Sequence, residues 1–219
     1  MTDIAARLAE VRRQIADAAR AAGRAPEEIE LVAVSKEVAA DAVIAALDAG
    51  QHDFGENRAQ ELLAKVDRLA AVPNAGSLPV WHFIGRLQRN KVKAIAPNVA
   101  LWHSVDRAEL GTEIARHAPG AHVLVQVNVA GEDRKGGCTP GELTPLVETL
   151  RDLGLAVDGL MTVPPLLGDP RPHFAALREL ATRLDMAVLS MGMSGDFEAA
   201  IGEGSTLVRV GRAVFGPRA

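Results

Sequence analysis

Tyrosine is absent from this 219-residue chain, cysteine occurs once, and aromatic residues make up 3%. A lone cysteine forms no internal disulfide, and without tyrosine no phenol is available to move a proton. No apolar run approaches the roughly 20 residues that span a bilayer. The opening MTDIAARLAE lacks the apolar core of a signal peptide, so a cytoplasmic protein is expected. Charge of one sign is also missing, with 28 Asp and Glu against 24 Lys and Arg and a net charge of -4. That balance gives neither the basic footprint of a nucleic-acid binder nor a membrane-surface bias. CxxC, HExxH and EF-hand patterns do not occur and the six histidines are dispersed, so no metal site is expected.

What the chain has is a steady alternation of short β-rich runs with alanine- and leucine-rich segments of helical period. Ile4, Leu8, Val11 and Ile15 recur at helical spacing in a first helix over about residues 3–22, with Gly23 placed to end it. Strands are expected at Leu31–Lys36, His52–Glu56, Trp81–Gly85, Val99–Ser104, Val123–Val129, Val157–Val163, Ala187–Met191 and Leu207–Val210. Helices are expected between them at Ala39–Ala49, Arg58–Ala70, Arg86–Ile95, Ala108–His117, Pro140–Leu153, Arg171–Leu184 and Phe197–Ile201. This order predicts an α/β protein, a single (β/α)8 TIM barrel with an extra N-terminal helix, spanning 1–219 as one domain. A doubly wound open sheet shares the alternation, but no GxGxxG turn follows the first strand, which weakens its dinucleotide-binding form.

Lys36 ends the apolar run Leu31-Val32-Ala33-Val34-Ser35 and is one of only five lysines, with Lys65, Lys91, Lys93 and Lys135. A lysine desolvated there is pushed toward the neutral amine that attacks carbonyls; one that extends into solvent is an ordinary surface charge. Active sites of barrels collect at the carboxyl ends of the strands. Reading those ends gives Ser35 and Lys36, Glu56 and Asn57, His82 and Gly85, His103 and Ser104, Asn128, Met161 and Thr162, Met191 to Gly195, and Arg209 to Arg212. A barrel would bring His82 and His103 together. Asn57, Ser104 and Ser194 read equally well as helix caps. The last two ends, Met191-Gly192-Met193-Ser194-Gly195-Asp196 and Arg209-Val210-Gly211-Arg212, suit an anion, because glycines admit close approach of amides and Arg212 adds a charged fork. Asp196 would repel that anion and is expected to point away. An amine at one strand end and a phosphate cradle at another describe a ligand with both an aldehyde and a phosphate, which is pyridoxal phosphate.

The blocks LVAVSK, DFGENRAQE, WHFIGRLQRNK, HSVDR, VNVAGEDRKGG, GLMTV, LSMGMSGDFEAAI and GSTLVRVGRAVFG run in order along nearly the whole chain. Together they resemble the YggS/PROSC family of pyridoxal phosphate homeostasis proteins, which share the barrel of the alanine racemase amino-terminal domain. The resemblance implies that Lys36 carries the cofactor as a Schiff base and that Ser194, Gly211 and Arg212 help hold its phosphate. It further implies that Arg209 faces the pyridine nitrogen, that Asn57 and His82 lie near the ring, and that Met161 and Gly195 belong to the same site. The implied role is cofactor homeostasis and delivery by a monomer, with pyridoxal-phosphate-dependent apo-enzymes as partners and no assigned catalytic residue.

Two features bear on catalysis. Guanidinium stays protonated and cannot balance a pyridinium as a carboxylate does, so the ring nitrogen is expected to remain neutral, a poor electron sink. The related racemases use a tyrosine base on the opposite face, and this chain has none; a racemase-like amino-acid enzyme is the alternative only if His82, His103 or Glu56 serves as an unconventional second base. Nor is a second domain expected after the last strand. Arg212 stands where relatives often carry threonine or serine, and Ala130 where many carry a hydroxyl residue. Lys135, beside Arg134, matches a lysine implied to act as a secondary amine in cofactor transfer. Cys138 reads as an exposed thiol or an ordinary loop residue.

Overall fold

Eight short strands rich in Val and Leu alternate with amphipathic helices, and here the parallel strands bury one face under helices and the other by closing on themselves. The computed structural model of the chain describes residues 4–71, 78–132 and 136–217. In chain order β1 (Glu30–Val34), β2 (Asp53–Glu56), β3 (Val80–Phe83), β4 (Val99–Val105), β5 (His122–Gln126), β6 (Ala156–Met161), β7 (Val188–Ser190) and β8 (Leu207–Val210) form a closed parallel barrel. Closure is direct: β1 pairs with β8 from Glu30 opposite Leu207 to Ala33 opposite Val210. The expected TIM barrel is what the chain forms.

Around it lie α1 (Ile4–Ala21), α2 (Ala40–Asp48), α3 (Ala59–Ala70), α4 (Arg89–Ile95), α5 (Ala108–His117), α6 (Leu143–Asp152), α7 (Arg171–Arg183), α8 (Phe197–Gly202) and α9 (Arg212–Phe215). The extra helix α1 buries Ile4, Leu8, Val11, Ile15 and Ala19, the i, i+3/i+4 stripe seen in the sequence. That stripe packs on α2, α8 and α9, so α1 straps the seam where the first and last units meet. Among the described residues no helix is long and apolar enough to cross a membrane.

Five of the eight strands stop earlier than hydrophobicity suggests, while β2 and β8 end where expected and β4 runs one residue further. Ser35 still donates to Gly55 O at 3.0 Å, but Val38 then turns back onto Ser35 O at 3.0 Å and Glu37 takes φ 61°, so Lys36 lies in a turn after β1. Likewise β5 ends at Gln126 and β6 at Met161, although Val127 and Thr162 just beyond remain buried. Apolar periodicity reports burial, which continues into these loops with single main-chain bonds, Val127 N to Met161 O at 2.8 Å and Thr162 N to Ser190 O at 3.2 Å, after which regular pairing ends. The helices after β3 and β5 start three residues later than expected, at Arg89 and Leu143, and α9 was not foreseen. Asn57, Ser104 and Ser194 cap nothing: the residues ahead of α3, α5 and α8 are Arg58, Arg107 and Asp196, none with a side-chain cap bond. Cys138 is buried and bridged to Val127, and burial pushes its thiol up to about 12, which removes the exposed-thiol reading. Arg134 and Lys135 lie outside the described residues.

Candidate functional site

The two glycine-bearing segments meet because the β7–β8 ladder continues past its strand ends. Met191 N donates to Leu207 O at 3.1 Å and Arg209 N to Gly192 O at 3.0 Å. One step further, the Gly211 amide reaches Ser194 Oγ at 3.3 Å. A cavity of about 490 Å³ opens there, lined by Lys36 from the β1 turn, Ser194 and Gly195, and Arg209, Gly211 and Arg212. A Cβ added at Gly195 would meet nothing within 4 Å, so that backbone faces open space, whereas at Gly211 it would come within 3.1 Å of Val34 O. Asp196 turns back on its own loop as expected, its Oδ1 accepting from Met193 N at 2.5 Å. A primary amine, a hydroxyl, approachable loop backbone and two guanidinium groups around one space form a donor set that fits a phosphate-bearing aldehyde.

The turn that carries Lys36 is held from beneath. Lys65 Nζ donates to Ser35 O at 2.6 Å, the carbonyl of the peptide bond leading into Lys36. Lys65 also pairs with Glu56 Oε1, which accepts from Ser35 Oγ at 2.6 Å. All three side chains are buried, and Glu56 Oε2 has no partner. Burial pushes the Glu56 carboxyl above its ordinary range, with Lys65 and Ser35 pulling it back. In the sequence Lys65 looks like any exposed helical lysine; its position opposite Glu56 appears only once α3 is docked on β2.

Arg209 enters the cavity from a chain of polar groups crossing the barrel interior. It donates to Thr162 O at 2.8 Å and to Ser190 Oγ at 2.5 Å. Ser190 Oγ lies 2.9 Å from His103 Nδ1, and His103 Nε2 lies 2.9 Å from His82 Nδ1. His82 Nε2 ends the chain 3.3 Å from Asp53 Oδ1. Because β4 and β7 are not neighbours in the barrel, the His103–Ser190 contact spans the lumen. Arginine only donates, so Ser190 Oγ accepts from Arg209; with His103 neutral, one consistent set has the Ser190 hydroxyl donating to His103 Nδ1, His103 Nε2–H donating to His82 Nδ1 and His82 Nε2–H directed toward Asp53. His103 is held well below the usual histidine range by burial, then by His82 and Arg209, consistent with the neutral ring this chain requires. Burial lowers Arg209 to about 10, still charged at neutral pH. Glu30, Asp53 and His82 offer ligating atoms within 4.8 Å of one another, but His82 Nε2 already has Asp53 as its partner.

Of the residues expected at the site, the fold therefore gathers Lys36, Ser194, Gly195, Arg209, Gly211 and Arg212. His82 and Met161 are enclosed in the core away from the cavity lining, and Asn57 lines a neighbouring crevice. Sequence reasoning missed the far wall, Pro165 to Pro170 after β6, where Leu166 is 92% exposed; apolar residues in a proline-rich loop carry no strand or helix period.

Residues 7–219 match the alanine racemase N-terminal domain family. A protein of Pseudomonas aeruginosa named pyridoxal phosphate homeostasis protein is 45% identical over 228 residues, covering 100% of this chain and 97% of the relative. Its namesake in Aquifex aeolicus is 43% identical over 226 residues, covering 97% of each. This chain belongs to the pyridoxal phosphate homeostasis protein family. The family barrel is matched in a solved structure too: PipY of Synechococcus elongatus, described with PLP bound, has a TM-score of 0.82 at 33% identity, covering 97% of this chain and 100% of PipY. As a pyridoxal phosphate homeostasis family member the chain is thus similar to its relatives along almost their full length, and the Lys36 cavity is built within the shared barrel.

Proposed function

We propose that this chain binds pyridoxal phosphate on Lys36 and acts in the cytoplasm as a monomeric, one-domain reservoir that delivers the cofactor to apo-enzymes. The observation that carries the reading is the meeting of Lys36 with Ser194, Gly195, Gly211 and Arg212 around one cavity. Names of full-length relatives and the PLP-bound PipY support the choice of ligand. Pyridoxal phosphate supplies an aldehyde that condenses reversibly with a primary amine and a phosphate that needs donors. Lys36 provides the amine, held in place through the Ser35 carbonyl by Lys65. Ser194, the adjacent loop amides and Arg212 take the phosphate, and Arg212 replaces a short hydroxyl with a charged fork.

Arg209 faces the pyridine nitrogen in this reading. A guanidinium there disfavours a second positive charge, so carbanion chemistry is poorly supported and holding is favoured over turnover. None of the three alternative bases is disengaged: Glu56 accepts from Ser35 and Lys65, His103 is tied to His82 and Ser190, and His82 also reaches Asp53. His82 acts on this site through His103, Ser190 and Arg209, while Asn57 and Met161 stand outside the cavity lining.

The visible spectrum with added pyridoxal phosphate, before and after borohydride, followed by peptide mapping, tests this. One reduced adduct on Lys36 is expected, with none in Lys36→Ala, whose far-ultraviolet spectrum should be unchanged because a turn lysine fills little core. Scattered surface adducts would defeat the reading. Racemisation of added L-alanine by the loaded protein would restore the enzyme alternative.

A further inference from the structure

We propose a second anion site on the carboxyl face of the barrel, beside the Lys36 cavity and separate from it, that takes one small dianion of the phosphomonoester class. A crevice of about 550 Å³ lies between the loops that follow β2, β3 and β4. Arg58, Arg86, Lys91 and Arg107 line it with the amides of Asn57 and Gln88, and no carboxylate does. The Lys36 cavity draws chiefly on the loops after β1, β6, β7 and β8, and the two spaces share no lining residue.

The four cations are not equivalent. Arg58 reaches Glu61 at 3.2 Å, and Arg107 is paired with Asp106 at 2.5 Å. Arg86 and Lys91 make no ion pair among the described residues, the first exposed and the second half-buried. Two uncompensated unit charges therefore face one crevice, the charge of a single dianion. Their segment, Arg86-Leu87-Gln88-Arg89-Asn90-Lys91-Val92-Lys93, is basic at four of its eight positions and has no acid, in a chain of net charge -4. Concentrating like charge against the overall sign costs free energy in the unliganded protein, and a bound anion relieves it. Arg86 supplies a planar fork and Lys91 a point charge, a pairing that suits a tetrahedral phosphate.

The test uses protein in which borohydride has fixed pyridoxal phosphate on Lys36, so that the Ser194 and Gly211 loops are already filled. Calorimetric titration with inorganic phosphate should show one saturable site per chain. Lys91→Gln and Arg86→Gln should each weaken it about tenfold, the loss of one charge-assisted contact. Succinate, titrated separately, separates the sources of such chemistry: weaker binding than phosphate marks a phosphate site, equal binding a site for dianions at large. Absence of saturable binding, or unchanged affinity in both variants, overturns the proposal. If borohydride fixes no cofactor on Lys36, the reading of that cavity fails by itself. The same titration of untreated Arg86→Gln/Lys91→Gln against the parent protein still decides this one, because both variants leave Ser194 and Gly211 intact.

Discussion

Lys65 shows how much of this site rests on a residue that touches no ligand. Its ammonium joins the Ser35 carbonyl to a carboxylate with one oxygen already unpartnered. Removing it strands Glu56 in the core, and breaking a buried pair from one side costs about 3–5 kcal/mol. Lys65→Met should lower the unfolding free energy in urea by about that amount, and adding Glu56→Gln should recover much of it, since a neutral amide needs no counter-charge. Equal stabilities for the single and double variants would mean that the pair does not govern this corner. Lys36 was legible in the sequence because an amine at the end of an apolar run is out of place; Lys65 was not, because a lysine on an amphipathic helix never is. Ser190 hid similarly, as a small polar residue at the end of a strand whose register across the lumen no local pattern encodes.

The elements were readable wherever burial and backbone pairing coincide. All eight strands and the helices between them, α9 excepted, follow from the sequence pattern, and β1, β5 and β6 end early where burial or single main-chain bonds run on into a turn or loop after Val34, Gln126 and Met161. Close approach of neighbouring strands is a different kind of information. At Gly159, in β6, an added Cβ would collide with the backbone carbonyl of Val188 in β7. Backbone cannot move aside as a side chain can, so Gly159→Ala should destabilise the barrel by about 3 kcal/mol or more, measured as a fall in the urea midpoint. Because β7 leads directly into the Ser194 loop, cofactor retention should fall with it. A variant of parental stability would show that the β6–β7 spacing has slack.

Across the whole molecule, buried His103 ties stability to pH. His103 stays neutral in the fold, while in the unfolded chain it takes up a proton near its ordinary value of about 6.5. Below that pH the unfolded state binds more protons, so stability falls as pH falls, by about 1.4 kcal/mol per unit until the folded value is reached. Glu30 and Glu56, raised by burial, work in the opposite direction at lower pH, where protonation relieves their folded-state penalty. Urea midpoints at pH 7.5 and 5.5 should converge in His103→Gln relative to the parent; an unchanged difference would assign the slope elsewhere. The same line of groups from Arg209 to Asp53 also constrains how this protein can vary. Each member fixes which atom of the next one bears the hydrogen, so a replacement at Ser190 or His103 leaves two neighbours mismatched at once. The lumen is thus a sentence with agreement rules: its residues can be exchanged for another consistent set, but not one word at a time.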